Sequence, residues 1–137
     1  MKYLYAYAIA FAIFLVVDLI WIGVIAKNLY NNRIGDILLD SPRWGVAAVF
    51  YLLYIGGLIY FAVAGAMATG SVAQAAANGA LFGFFTYLTY NATNLAVMKG
   101  YDPLVTVIDT AWGTAMGAAV ASGTVAILAL LGRTGSG

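Results

Sequence analysis

Two aspartates stand inside otherwise apolar stretches, Asp18 and Asp109, and each is followed three residues later by a tryptophan, Trp21 and Trp112. A carboxyl in apolar surroundings must be protonated, share a proton, or meet a cation from elsewhere. Lys27 is nine residues beyond Asp18, which is about 13 Å along a helix and out of direct reach. Around these acids the chain repeats aromatic and amide side chains at helical spacing. Tyr87, Asn91 and Asn94 share one face at i, i+4, i+7, Tyr90 adjoins them, and Tyr51 and Tyr54 stand three apart. Carboxyls beside aromatic rings suit a cation, because an acid neutralises charge and ring faces attract it. A proton, an amine, a hard metal ion or an amphipathic lipid-like ligand all fit this set, whereas oxygen ligands disfavour copper and haem.

Much other chemistry is excluded. With no Cys and no His, the chain builds no disulfide, thiolate or imidazole metal site, and no Ser-His-Asp or Cys-His system. It carries no phosphate-cradling loop or cofactor fingerprint, so no cofactor and no metal centre are expected. A net charge of +1 without a basic face argues against nucleic acid as a partner.

The elements that position these residues follow from composition. Of the 137 residues, 64% are hydrophobic and 8% charged, against about 25% charged in an ordinary soluble domain. Four apolar runs, about 3–26, 46–66, 73–98 and 104–131, approach or exceed the roughly 20 residues that cross a bilayer's hydrocarbon. The expectation is a single all-α domain over 1–137: an integral membrane four-helix bundle, up-down-up-down, with both termini on the same side. Inside a bilayer each aspartate costs roughly 2.5 to 3.5 kcal/mol on insertion scales, so its presence calls for a reason. The first run is too long for a typical signal-peptide core, and three comparable runs follow it. Between the first two runs lies a polar loop, 27–45, with Lys27, Arg33, Asp36, Asp40 and Arg43. Its middle, Ile34 to Asp40, suits a short helix lying at the interface.

This topology brings Asp18, Trp21, Tyr51, Tyr54, Tyr87, Tyr90, Asn91, Asn94, Asp109 and Trp112 to one end of the membrane. Gly79 and Gly83, and Gly113 and Gly117, form two G-x-x-x-G pairs that allow close helix approach, within the bundle or between copies. The second of these pairs shares a face with Asp109 and Trp112, so that carboxyl is expected to face another helix and not lipid. Structural alternatives accompany each reading: asparagines hold helices together by hydrogen bonds, and tyrosines and tryptophans anchor helices at interfaces. Lys27, Arg33, Arg43 and Lys99 lie on the loop side, against Lys2 and Arg133 on the terminal side. By the positive-inside rule, loops 27–45 and 99–103 are cytoplasmic and the termini external.

At these residues the sequence resembles a family of small predicted bacterial membrane proteins, the domain of unknown function 2177 family, over nearly the whole chain. The matching features are Asp18, Trp21, Lys27 and Arg33, the stretch Phe50 to Tyr54, Tyr90-Asn91-Ala92-Thr93-Asn94-Leu95 with Lys99-Gly100, and Asp109, Trp112 and Gly113. Asn91 stands where the family pattern has an acid, so this chain brings two carboxyls to the site and not three. The resemblance implies a membrane address, in bacteria the inner membrane, and assigns no activity. Three functions are therefore weighed. The leading one is binding of a small molecule, ion or proton in the polar intramembrane site, in a transporter. The others are a membrane enzyme using Asp18 and Asp109 as an acid/base pair on a lipid or isoprenoid, and a structural subunit of a membrane complex. The lipid bilayer is the expected surrounding partner, and a homo-oligomer is expected because so small a bundle has little interior of its own.

Overall fold

The computed structural model describes residues 2–21 and 44–132, all helix and turn with no strand among them. Helix α1 is Lys2–Ile20. Helix α2 is a continuous rod in three parts: Trp44–Leu58, a π-helical turn Ile59–Val63, and Ala64–Thr69. Helices α3, Val72–Val97, and α4, Pro103–Leu130, complete the bundle. The expected interfacial helix at Ile34 to Asp40, the loop cations Lys27 and Arg33, and the end of the first run lie outside the described residues.

Short turns with explicit caps join the last three helices. After Thr69 the chain turns at Gly70 in the left-handed region, φ 71°, which glycine enters without a Cβ penalty. The Ser71 hydroxyl then accepts from the Gln74 backbone N–H at 3.1 Å and caps α3. This cap carries α2 to Thr69, three residues past the boundary expected from hydropathy. At the other end Gly100, φ 81°, turns the chain, and the Asp102 carboxyl accepts from Leu104 N–H at 2.7 Å. Pro103 begins α4, where its missing N–H leaves no bond unmade.

The π-helical turn has a sequence cause. The residues α2 buries, Tyr54, Leu58, Ala62 and Ala66, with Ile55, Ile59, Val63 and Met67 beside them, recur every fourth position. On a regular helix that stripe would drift by about 40° per step, about 120° over its length. The turn absorbs one residue, the Ala64 N–H reaching back to the Ile59 carbonyl, and keeps both halves facing the core.

Helices α3 and α4 share the most extensive contact in the molecule, and α1 packs chiefly on α4. A Cβ at Gly79 would run into the Gly117 carbonyl oxygen, and one at Gly83 into that of Gly113. The two G-x-x-x-G pairs therefore meet one another within the chain, backbone against backbone. As residue numbers rise along α3 they fall along α4, so the pair is antiparallel.

The outer surface is apolar, with Leu4, Val16, Leu19, Leu53, Phe61, Phe85 and Val107 exposed, as lipid contact requires. Among the described residues, three helices are long and apolar enough to cross a membrane: Tyr3–Ile20, Ala48–Thr69 and Pro103–Leu130. Helix α3, expected as a fourth span, is not among them. It has the length, 26 residues, but Gln74, Asn78, Thr86, Thr89, Asn91 and Asn94 dilute its apolarity. Part of that polarity is turned inward: Thr86 donates to the Phe82 carbonyl at 2.8 Å and Thr89 to that of Phe85 at 2.7 Å.

Candidate functional site

Beyond the glycine seam the α3–α4 contact becomes polar. The Tyr87 ring lies over Gly113, where a Cβ would collide with it. One turn later Asn91 is fully buried. Its Nδ2 donates to the Tyr87 carbonyl at 2.9 Å and to Asp109 Oδ2 at 2.7 Å, and its Oδ1 accepts from the Tyr101 hydroxyl at 2.7 Å. Both amide protons and one carbonyl lone pair are thus used. Burial pushes the Tyr101 hydroxyl above its ordinary pKa, so it stays a donor. By sequence Tyr101 falls in the 99–103 loop. The available signal was an aromatic side chain in a tight polar turn two residues before a proline, which has little reason to be there unless it packs.

On the α1 side Trp21 stacks on Trp112, ring centroids 4.3 Å apart and planes 7° from parallel. Eight residues earlier Ile13 lies against Gly123, so α1 runs antiparallel to α4. Asp18 and Asp109 each precede their tryptophan by three residues, but on helices running in opposite directions. Their backbone positions thus fall on opposite sides of the Trp pair, about 4.5 Å from it each and about 9 Å from one another along the bundle. The two carboxyls are close enough to interact electrostatically. The site has two tiers: Asp109, Asn91 and Tyr101 near the α3–α4 turn, and Asp18 deeper.

Tyr51, Tyr54 and Tyr87 lie within electrostatic reach of Asp18, and Tyr51 and Tyr87 are also within reach of Asp109. Tyr54 packs against Phe14 at 5.5 Å and edge-on to Tyr87 at 6.2 Å. It is 4% exposed, and among the described residues its hydroxyl has no hydrogen-bond partner; nor do Thr110 Oγ1 and Trp112 Nε1. Of the residues singled out in the sequence, Asp18, Trp21, Tyr51, Tyr54, Tyr87, Asn91, Asp109 and Trp112 come together. Asn94 is half-buried at the rim beside Tyr101, and Tyr90 is largely exposed. Phe14 and Thr110 also belong to the surroundings, and the sequence marks both: Phe14 stands four residues before Asp18 and seven before Trp21, on their face, and Thr110 is a polar residue beside Asp109. Among the described residues no three His, Cys, Asp or Glu side chains gather as a metal site.

Described residues that are all helix and turn, with three helices long and apolar enough to cross a membrane and an apolar exterior, define an integral helical membrane protein. Within that class it belongs to the family described as Predicted membrane protein (DUF2177), whose model matches residues 3–126. No curated protein and no solved structure matches the chain.

Proposed function

We propose that this protein is an inner-membrane transporter that binds a small molecule or ion in the polar site within its helices. The carrying observation is the approach of two intramembrane carboxyls, Asp18 and Asp109, beside the Trp21–Trp112 stack and the tyrosines of α2 and α3. Such surroundings suit a proton, an organic cation or an amphipathic amine, since aromatic faces and an acid both favour positive charge. The arrangement we favour is up-down-up-down with both termini external, supported by the antiparallel contacts of α3 and α1 with α4 and by the loop-side cations. Because the chain contains no Cys, single cysteines placed in the 27–45 loop and at residue 2 and probed with an impermeant thiol reagent test this orientation.

Ligand binding is tested by thermal shift in detergent against a broad panel of cations and amines. A hit that shifts the wild type and is lost in Asp18→Asn or Asp109→Asn supports the site. Unchanged binding in both variants rejects it. The structural reading draws on a different observation, the three hydrogen bonds of the buried Asn91 side chain. It gains if no panel member shifts the melting temperature while Asn91→Leu lowers it. Because both glycine pairs are occupied within the chain, a homo-oligomer would assemble through other faces, and native mass spectrometry reads its state.

A further inference from the structure

The two carboxyls are not equivalent. Asp109 is committed, its Oδ2 accepting from an asparagine that the Tyr87 carbonyl and the Tyr101 hydroxyl hold in place. Asp18 has no hydrogen bond among the described residues and sits about 9 Å deeper, past the level of the Trp21–Trp112 stack. Among the described residues, the titratable groups within electrostatic reach of it are Tyr51 and Tyr54 from α2, Tyr87 from α3 and Asp109 from α4. None of these brings positive charge, and a carboxyl so surrounded in a bilayer is least costly with a proton on it. The buried Tyr54 hydroxyl, without a partner among the described residues, can both give and take a hydrogen bond. It suits either state of a neighbouring carboxyl.

The geometry points to Asp18 as a proton-binding site, a carboxyl that takes up and releases one proton behind the tryptophan pair, with Asp109 as its fixed neighbour. Tyr51 and Tyr87 are each within electrostatic reach of both acids, and the Tyr87 ring, over Gly113, lies between the tiers. The released proton leaves towards the Asp109 end and the solvent at the α3–α4 turn, and the Asp18 carboxylate stays behind. This inference rests on the same polar site as the transporter reading but needs no organic ligand.

The test is labelling of the full-length protein in lipid vesicles with dicyclohexylcarbodiimide, an apolar reagent selective for protonated carboxyls in hydrocarbon. The carboxyl O–H adds across one C=N bond, and an oxygen-to-nitrogen acyl shift leaves a stable acylurea, with no further reactant consumed. Peptide mass spectrometry then locates the adduct. The expected result is label at Asp18 that declines on going from mildly acidic to mildly alkaline buffer, by up to about tenfold per pH unit once the proton is leaving. Asp18→Asn abolishes it, and Asp109→Asn retains it. Label at Asp109 instead, at neither residue, or at Asp18 without any pH dependence overturns the proposal. If the thermal-shift panel finds no ligand but Asp18 labels as expected, the organic-ligand reading fails and the proton site stands. If a ligand binds through Asp18 but labelling there does not change with pH, the proton site fails and the ligand reading stands.

Discussion

Helices α3 and α4 meet in two ways along one interface. Over Gly79, Gly83, Gly113 and Gly117 backbone touches backbone, and nothing but shape is exchanged. From Tyr87 onward the same helices touch through side chains, and Asn91 bonds Asp109. The difference teaches a division of labour: the seam has no tolerance in its spacing, so it sets the register, and the polar end uses that register to deliver an amide to a carboxyl. Neither part explains the other's composition, but the second depends on the first.

The sharpest way to break this comparison is Gly83→Leu, which drives a side chain into the Gly113 carbonyl. A loss of about 3 kcal/mol or more is expected, read as a large fall in melting temperature in detergent by circular dichroism. A wild-type melt would mean that the seam is loose. Next is Asn91→Leu, which takes from the Tyr101 hydroxyl its acceptor on α3 and deprives Asp109 of its amide donor, with an expected loss of about 2 to 3 kcal/mol. Retained stability would show that the network is dispensable to the fold. Tyr101→Phe removes a single hydrogen bond and is expected to destabilise by about 1 kcal/mol; an effect as large as that of Asn91→Leu would move the centre of the network to the turn. Gly56→Ala completes the series. A Cβ there meets nothing within 4 Å, so a change within about 0.5 kcal/mol is expected, which separates glycines that define contacts from those that do not.

The helical membrane character was legible because apolar runs of spanning length are hard to produce for another reason, and the glycine pairs because their spacing matches a helix face. The convergence of Asp18, Asn91 and Asp109 was legible as a shared end of the bundle. Their separation into tiers was not, since depth depends on which residue of α1 faces which residue of α4, and that register comes from contacts such as Ile13 on Gly123. Tyr101 escaped because turn residues are read for backbone geometry and not for where a long side chain reaches. The polarity of α3 was visible in the sequence, but hydropathy does not distinguish a threonine bonded to its own helix from one that must find a partner. The α2 boundary shifted because a cap at Ser71 decides where the chain turns, and apolarity does not.

The π-helical turn at Ile59–Val63 makes the aim of α2 a matter of counting. Straightening it into regular helix at constant length would rotate Trp44–Leu58 by about 100° relative to Ala64–Thr69. Tyr54 would then leave the neighbourhood of Asp18 although no residue of the polar site had been altered. Deleting one residue of the turn would instead leave a regular helix with both halves aimed as they are now, so a related chain one residue shorter at this point is expected to lack the π-helical turn and to keep the same face of its second helix towards the acids.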